Sequence, residues 1–309
     1  MYYFIINEHS GRGRAGKEWL RLKQPLEKEA VPFKAWITRG VGDATALAEH
    51  VCTLTDEEIR LVVVGGDGTI NEVLNGICDF ERVVLGVLPV GSGNDFARGL
   101  GLPHRVDEAM RRLYEATGAS RIDLGTVCVD GTEKRRFGIS AGVGLDAKVC
   151  EQVDASKQKS LLNRIGLGSL AYGIMTLSVV AHMEWARGNV VATTENGEVS
   201  FDFEKLLFLS AMNFPWEGGG VPIAPDASGE DGWLSMCMAS ELSKAKAFMC
   251  LPRLAKGHHY GVNGVHHAEA RRIEVKVEKP LVVHADGEIL GYGTEICFEV
   301  LPQALRVLI

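Results

Sequence analysis

Residues Leu61 to Glu72 read LVVVGGDGTINE, and this segment decides the fold because a glycine-rich turn follows a buried strand and precedes a helix. Gly65, Gly66 and Gly68 let backbone N–H groups approach a phosphate at the helix N-terminus, where the helix dipole favours negative charge. A carboxylate facing phosphates is unfavourable, so Asp67 would need a metal ion or a hydroxyl as its partner there. The alternative is a tight strand–helix turn in which Asp67 is the helix N-cap.

A second glycine-rich loop follows the next apolar run. Residues 85–103 read LGVLPVGSGNDFARGLGLP, and the loop contains Gly91, Ser92, Asn94 and Asp95. Ligands of parallel α/β sheets bind at the carboxyl ends of the strands. Two such loops at adjacent strands are therefore expected to face each other across one nucleotide.

The surrounding sequence alternates strand and helix signals as far as residue 122. The strand signals lie at 2–6, 33–38, 61–66 and 83–90, and the helix signals lie near 15–30 and at 43–53, 70–77 and 107–117. This alternation predicts an α/β domain with a parallel sheet. The many short alternating runs that follow predict a β-rich sandwich or barrel, interrupted by one helical region at 156–183. We expect domains at 1–122 and 123–295, and the tail 296–309 returns to either of them.

The N-terminal segment poses a separate question, because Gly11 is followed four residues later by Gly16-Lys17. A P-loop requires Ser or Thr directly after this Lys to hold magnesium, and the residue here is Glu18. The alternative is a strand, a flexible basic turn and a surface helix that begins near Ala15.

Composition restricts the class of protein. The net charge of −7 argues against a protein that mainly binds nucleic acid. The seven cysteines are scattered, which favours a reducing compartment over a disulfide framework. No basic region precedes the first apolar run, so we expect a cytoplasmic protein. Residues 165–183 carry no formal charge but include several polar residues, which favours a buried or membrane-facing helix over a spanning one.

The chain resembles bacterial lipid kinases of the diacylglycerol kinase type, which share an ATP-binding domain design with sphingosine kinases, NAD kinases and phosphofructokinases. The resemblance runs nearly from end to end. It rests on Asn7-x-x-Ser10-Gly11, Gly65 to Glu72, Pro89-x-Gly91-Ser92-x-Asn94-Asp95-Phe96-Ala97-Arg98, Asp123-x-Gly125, Gly142-x-Gly144-x-Asp146-Ala147, Asn213 with Gly218-Gly219-Gly220, Asp231-Gly232-x-Leu234, and Asp286-Gly287-Glu288.

The resemblance implies an ATP site in the first domain. The residues that it implies there are Asn7, Ser10, Gly11, Thr38, Gly65, Gly66, Asp67, Gly68, Thr69, Asn71, Glu72, Gly91, Ser92, Asn94 and Asp95. It also implies catalytic roles for Asp67, near the phosphates and metal, and for Glu288, as the general base that takes the proton of a lipid hydroxyl. Without the family, Asp286-Gly287-Glu288 would be a plain hairpin turn.

The resemblance further implies a structural Mg²⁺ ion bound by Asp231 with the backbone carbonyls of Ser228 and Trp233, and hard cations do prefer oxygen ligands. The alternative is a turn between strands. The basic residues Lys157, Lys159 and Arg164 are expected to attract anionic lipid headgroups or to be ordinary solvated charges.

The predicted function is therefore an ATP- and Mg²⁺-dependent lipid kinase that phosphorylates a membrane lipid. Diacylglycerol is the leading candidate for the acceptor. We expect peripheral contact with the inner face of the membrane and no nucleic-acid partner. A homodimer is compatible with the sequence. Three alternatives stay open. They are a sphingoid-base kinase, an NAD kinase, and an inactive nucleotide- or lipid-binding regulator. The first stays open because Gly91-Ser92-Gly93-Asn94 resembles the sphingosine kinase motif.

Overall fold

The computed structural model describes residues 1–116, 118–155 and 185–309. The predicted helical region 156–183, the uncharged segment 165–183 and the basic residues Lys157, Lys159 and Arg164 lie outside the described residues. The chain divides into two compact units. Unit 1 comprises Met1–Leu124, Gly229–Gly232 and Leu301–Ile309, and unit 2 comprises Gly125–Ser228 and Trp233–Val300.

Unit 1 is an α/β unit built on a parallel sheet, as the alternating pattern predicts. Its elements are β1 (Tyr2–Ile6), α1 (Ser10–Lys28), β2 (Phe33–Ile37), α2 (Asp43–Cys52), β3 (Ile59–Gly65), α3 (Asp67–Gly76), β4 (Val83–Pro89), α4 (Asp95–Gly99) and α5 (Val106–Glu115). The strand order is β4-β3-β1-β2, and each neighbouring pair is parallel. Near the C-terminus, Arg306 and Val307 continue the sheet in parallel beside β4.

Continuous apolar runs form these strands because helices cover both faces of a parallel sheet. Phe4 is fully buried, and its ring centroid lies 5.0 Å from that of Trp19 on α1. Burying each large apolar side chain contributes about 1.5–3 kcal/mol. The sheet therefore holds the carboxyl ends of β1, β3 and β4 in a fixed relation.

Unit 2 is rich in antiparallel strands, as predicted. Its elements are β5 (Ser120–Val129), β6 (Arg135–Phe137), β7 (Ser140–Gly144), α6 (Leu145–Ala155), β8 (Ala186–Thr194), β9 (Gly197–Met212), β10 (Trp216–Glu217), β11 (Val221–Pro222), β12 (Leu234–Ser240), α7 (Lys244–Leu254), β13 (Val265–Ala270), β14 (Arg272–Ala285) and β15 (Glu288–Val307). The start of β5 and the end of β15 belong to unit 1.

The long strands of unit 2 change partners along their length. β9 pairs with β8 along its first part and with β7 and β12 along its second, always antiparallel. β14 likewise pairs first with β8 and then with β7. A core of buried apolar side chains, including Phe137, Phe203 and Phe298, fills this unit.

Two sequence expectations about element boundaries differ from the structure. Two of the short alternating runs that follow residue 122, 271–279 and 281–287, are expected as separate strands but form one strand, β14. Its register with β15 shifts between Lys276 and Leu281. Pro280 lies within this shift, and proline is tolerated in a sheet at such irregularities because it has no N–H to donate. The helix predicted from residue 70 begins at Asp67. The predicted start is too late because the glycines of the turn are poor helix formers and the helical pattern is recognisable only after them.

Among the helices that the structure describes, none is both long and apolar enough to cross a membrane.

Candidate functional site

The two glycine-rich loops of unit 1 contact each other directly. The Val90 N–H donates to the Gly65 carbonyl over 3.0 Å. A Cβ atom on Gly91 would lie 2.5 Å from the Cα atom of Gly66, closer than any side chain permits. Glycine is therefore required at this crossing, and the loops after β3 and β4 meet as the sequence predicts.

Asp67 joins the first loop to the second. Its carboxylate accepts hydrogen bonds from the backbone N–H groups of Asp95, over 3.2 Å, and Phe96, over 3.1 Å. These N–H groups open α4, where a negative charge is favourable. Asp67 is the first residue of α3, whose N-cap is Gly66, and its carboxylate caps the neighbouring helix α4.

The second loop is held by its own side chains. Asn94 adopts a left-handed conformation with φ of 55°, and its Nδ2 donates to the Gly91 carbonyl over 3.1 Å. Asp95 is buried and forms an ion pair with Arg98. Ser92 is exposed at the tip of the loop. A fixed backbone with one exposed hydroxyl suits contact with a phosphate.

The turn after β1 lies against both loops. Asn7 Nδ2 donates to Thr69 Oγ1 over 2.9 Å, and the Ser10 N–H donates to the Asn7 carbonyl. Gly11 has φ of +59°, and a Cβ atom there would lie 2.0 Å from the Val90 carbonyl oxygen. The structure thus brings Asn7, Ser10 and Gly11 to the glycine loops.

The question of a P-loop is answered by α1. The left-handed residues are Gly11, Arg12 and Gly13, and the chain is helical beyond them, so Gly16 and Lys17 lie within α1. Lys17 is exposed. The strand, turn and helix interpretation of this segment is correct.

Three further residues predicted for the ATP site, Thr38, Asn71 and Glu72, also have hydrogen-bond partners within the chain. The Thr38 N–H donates to the Ile6 carbonyl over 2.8 Å, and both Thr38 and Asn71 are buried. Glu72 Oε2 accepts a hydrogen bond from the Ala44 N–H over 3.0 Å, so its carboxylate lies at the first turn of α2. Contact of Thr38, Asn71 and Glu72 with ATP stays a prediction.

The loop that carries Asp231 is bound into unit 1 by Asp123. The Asp123 carboxylate is fully buried and accepts hydrogen bonds from the N–H groups of Gly232 and Gln303, each over 2.7 Å. The Asp123 N–H donates to the Gly229 carbonyl. Asp231 belongs to unit 1, whereas Ser228 and Trp233, on either side, belong to unit 2. The metal role of these three residues stays a prediction.

In unit 2, a two-residue turn precedes Glu288. Asp286 and Gly287 join β14 to β15 with φ values of 49° and 85°, which is the hairpin turn that Asp-Gly favours. The Asp286 carboxylate accepts hydrogen bonds from the N–H groups of Gly138, Ile139 and Ser140 over 2.8, 2.8 and 3.0 Å. Glu288 is half-buried at the start of β15. The hairpin and the general base are thus compatible interpretations, because a firmly held turn presents the carboxylate.

A buried polar cluster that the sequence does not reveal lies beside this turn. His284 Nε2 lies 3.2 Å from Asp146 Oδ2 and 3.5 Å from Glu217 Oε1. Burial raises the pKa of Glu217 to about 7. Burial acts to lower the pKa of His284, whereas the carboxylates of Glu217 and Asp146 act to raise it. The Gly287 N–H that faces His284 Nδ1 favours the neutral ring. His284 and Asp146 are 138 residues apart in sequence, so no local pattern connects them.

Two family models match the chain. The diacylglycerol kinase catalytic domain matches residues 1–127, and the YegS C-terminal NAD kinase beta sandwich-like domain matches residues 139–309. A diacylglycerol kinase of Bacillus subtilis (strain 168) is 31% identical over 290 residues, which cover 93% of this chain and 89% of the relative. The chain belongs to the diacylglycerol kinase family. This membership confirms the resemblance that the motifs indicate.

Other members of the diacylglycerol kinase family match over similar lengths. The putative lipid kinase YtlR of Bacillus subtilis (strain 168) is 27% identical over 309 residues, covering 99% of this chain and 98% of the relative. The crystal structure of a putative diacylglycerol kinase from Bacillus anthracis str. Sterne has a TM-score of 0.73 at 23% identity, covering 99% of this chain and 96% of that one, which supports the fold. The protein is a lipid kinase of the diacylglycerol kinase type, and ATP is the phosphate donor that a kinase of this family implies.

Proposed function

We propose that this lipid kinase transfers the γ-phosphate of ATP to the free hydroxyl of diacylglycerol in an Mg²⁺-dependent reaction that gives phosphatidic acid. The observation that carries the proposal is Glu288, a carboxylate presented by a turn that three backbone N–H groups hold through Asp286. The relatives named diacylglycerol kinase support the choice of acceptor.

The chemistry assigned to Glu288 follows from the acceptor. A lipid hydroxyl is a weak nucleophile at neutral pH, so a carboxylate within hydrogen-bond distance must take its proton. The oxygen then forms a bond to the γ-phosphorus as the bond to the β–γ bridging oxygen breaks and ADP leaves. Positioning and electrostatic stabilisation supply most of the remaining rate in phosphoryl transfer.

ATP is proposed to bind at the crossing of the two glycine-rich loops in unit 1. The close approach of Gly66 and Gly91 leaves only backbone at the crossing, and α3 begins there with its N–H groups and the positive end of its dipole. Asp67 holds the second loop in place through Asp95 and Phe96. These features support a phosphate-binding role for the loops.

Mg²⁺ belongs to the same proposal. The donor set of the Asp231 carboxylate with the carbonyls of Ser228 and Trp233 consists of hard oxygen atoms, which fits Mg²⁺. An ion held there would be structural, whereas the Mg²⁺ that accompanies ATP would lie near Asp67 and would supply positive charge against the phosphates. Asp123 would keep the Asp231 loop in place, because its buried carboxylate holds the backbone at Gly232.

A transfer assay tests the acceptor. Purified protein, Mg²⁺ and γ-labelled ATP are added to mixed micelles that each contain diacylglycerol, monoacylglycerol, a sphingoid base, ceramide or undecaprenol, with NAD as a soluble acceptor. We expect label in diacylglycerol. Label in the sphingoid base alone would instead support a sphingoid-base kinase, whose motif is similar to Gly91-Ser92-Gly93-Asn94. Label in NAD alone would contradict a lipid acceptor.

Peripheral membrane contact is the last part of the proposal. A membrane lipid as acceptor requires the protein to reach the bilayer surface, and we place this contact at the cytoplasmic face. Co-sedimentation with vesicles of phosphatidylcholine, with and without an anionic lipid, tests it. We expect binding that increases with anionic lipid and decreases with salt, and equal binding to both vesicles would contradict an electrostatic contribution.

A further inference from the structure

The buried cluster of Asp146, Glu217 and His284 contains one residue, His284, that lies four residues before Glu288 in sequence. The proposed phosphoryl transfer makes no use of the cluster. Asp146 comes from the first turn of α6, Glu217 from β10 and His284 from the end of β14. A Cβ atom on Gly142 would lie 2.3 Å from Asp146 Oδ2 and 3.0 Å from His284 Nε2. Only glycine at residue 142 lets this carboxylate reach the ring.

The hydrogen bonds of His284 indicate which ring nitrogen carries the proton. The Gly287 N–H points at His284 Nδ1 over 3.3 Å, so Nδ1 acts as an acceptor and the ring proton lies on Nε2. Nε2 faces Asp146 Oδ2, which also accepts from Ser210 Oγ over 2.6 Å. Asp146 thus orients the ring, and the ring in turn holds the backbone of the turn before Glu288.

One proton can lie either on Glu217 or on His284, and on His284 it would occupy Nδ1, because Nε2 already bears the ring proton. With the proton on Glu217 the ring is neutral, and with the proton on His284 Glu217 is ionised, so the cluster carries the same net charge in both arrangements. The Gly287 N–H favours the first arrangement, because an imidazolium would set two N–H groups against each other.

The same hydrogen bond argues against a metal ion in this cluster. Atoms of Cys150, Glu217 and His284 that can ligate a metal lie within 4.8 Å of one another. The ring nitrogen nearest Glu217 is Nε2, and a metal there would need its lone pair and would place a proton on Nδ1, facing the Gly287 N–H. The geometry therefore favours a hydrogen-bonded cluster.

We propose that His284 is a positioning residue for Glu288. Its Nδ1 fixes the peptide between Asp286 and Gly287, while the Asp286 carboxylate fixes the other side of the turn. Together they set the direction in which the chain enters β15, and hence the place of the Glu288 carboxylate. This inference rests on the proposed role of Glu288 as general base. A displacement of about 1 Å at a reacting group can reduce the rate about 100-fold.

Two near-isosteric substitutions separate the nitrogens of the ring. His284→Asn places an amide oxygen close to the position of Nδ1, so it can still accept from Gly287, but it does not reach Asp146. His284→Gln reaches the position of Nε2 and can donate to Asp146, but it offers no acceptor at Nδ1. Both remove the ring, so both are expected to lower the thermal midpoint to a similar extent.

Turnover should distinguish the two variants. We expect His284→Asn to stay within about threefold of the wild-type kcat and His284→Gln to fall at least about tenfold, with KM for ATP unchanged in both. A merely structural role would change both variants equally, and equal kcat values would overturn the proposal. If Glu288→Gln keeps wild-type turnover, the general base itself fails, whereas an inactive Glu288→Gln beside equal His284 variants overturns only the positioning role.

The wild-type protein provides a test that does not depend on folding of the variants. Nitrogen-15 NMR of the histidine side chains, assigned with His284→Gln, should show a neutral ring with the proton on Nε2 at pH 7. A proton on Nδ1 would overturn the proposal, and so would about one equivalent of bound zinc that His284→Gln loses.

Discussion

Asp286→Asn should weaken the hydrogen bonds that tie the backbone of Gly138, Ile139 and Ser140 to the turn before Glu288, without changing the conformation of that turn. Asn tolerates the φ of 49° at this residue and is similar in shape. The Asn oxygen can still accept two of the three N–H groups, but the amide nitrogen meets the third, donor against donor. The loss of one charge-assisted bond, together with weakening of the other two, costs about 3 kcal/mol.

Hydrogen exchange measures this loss at the N–H groups themselves. A change of about 3 kcal/mol corresponds to about 100-fold faster exchange for Gly138, Ile139 and Ser140 where local opening limits it. We also expect a lower kcat with little change in KM for ATP, because ATP is proposed to bind in unit 1. Unchanged exchange at Gly138–Ser140 in Asp286→Asn would refute the reasoning.

Asp130→Asn is the matched control. Asp130 also precedes a glycine at positive φ, and its carboxylate accepts hydrogen bonds from Thr294 and Glu295. It lies in the connection between β5 and β6, and its side chain serves a different strand segment. This variant should speed exchange at Thr294 and Glu295 only, with kcat unchanged.

Two further predictions concern the glycine crossing and the buried cluster. Gly91→Ala should weaken ATP binding at least about tenfold, because its methyl group would overlap Gly66 at a cost of about 1–3 kcal/mol; calorimetric titration with ATP measures this, and Gly118→Ala, whose methyl group meets open space, is the control. Equal ATP affinities of Gly91→Ala and Gly118→Ala would contradict ATP binding at the crossing of the two loops. The pKa of Glu217 is raised from 4.5 to about 7, so the stability that its neutral form contributes is fully present below pH 4.5 and is lost as the pH rises through about 7. Urea unfolding between pH 5 and 8 should show this fall in the wild type and a flatter curve in Glu217→Gln, and parallel curves would contradict it.

The sequence predicts the parallel sheet and its loops because their signals are local. β1, β3 and β4 are apolar runs, and the carboxyl ends of neighbouring parallel strands must lie close together. The meeting of Gly66 and Gly91 follows from this rule. The short helix α4 is missed because five residues are too few for helical periodicity to appear.

The contacts that shape the candidate site are predictable only in part. The Asp286-Gly287 turn follows from the preference of Asp-Gly for two-residue hairpins, and the role of Glu288 is suggested by the family motif. The contacts of Asp286 with Gly138 and of His284 with Asp146 depend instead on antiparallel pairing of β7 with β14, which residue patterns do not specify. Long-range pairing is therefore what the sequence leaves undetermined.

Phosphatidic acid formation by the wild type and by Glu288→Gln tests the central claim most directly. Both proteins are given γ-labelled ATP, Mg²⁺ and diacylglycerol micelles, and their ATP affinities are measured in parallel. We expect the wild type to label phosphatidic acid, and Glu288→Gln to bind ATP with similar affinity while its turnover falls by at least about 100-fold, the usual contribution of a general base. Wild-type turnover in Glu288→Gln would contradict the account.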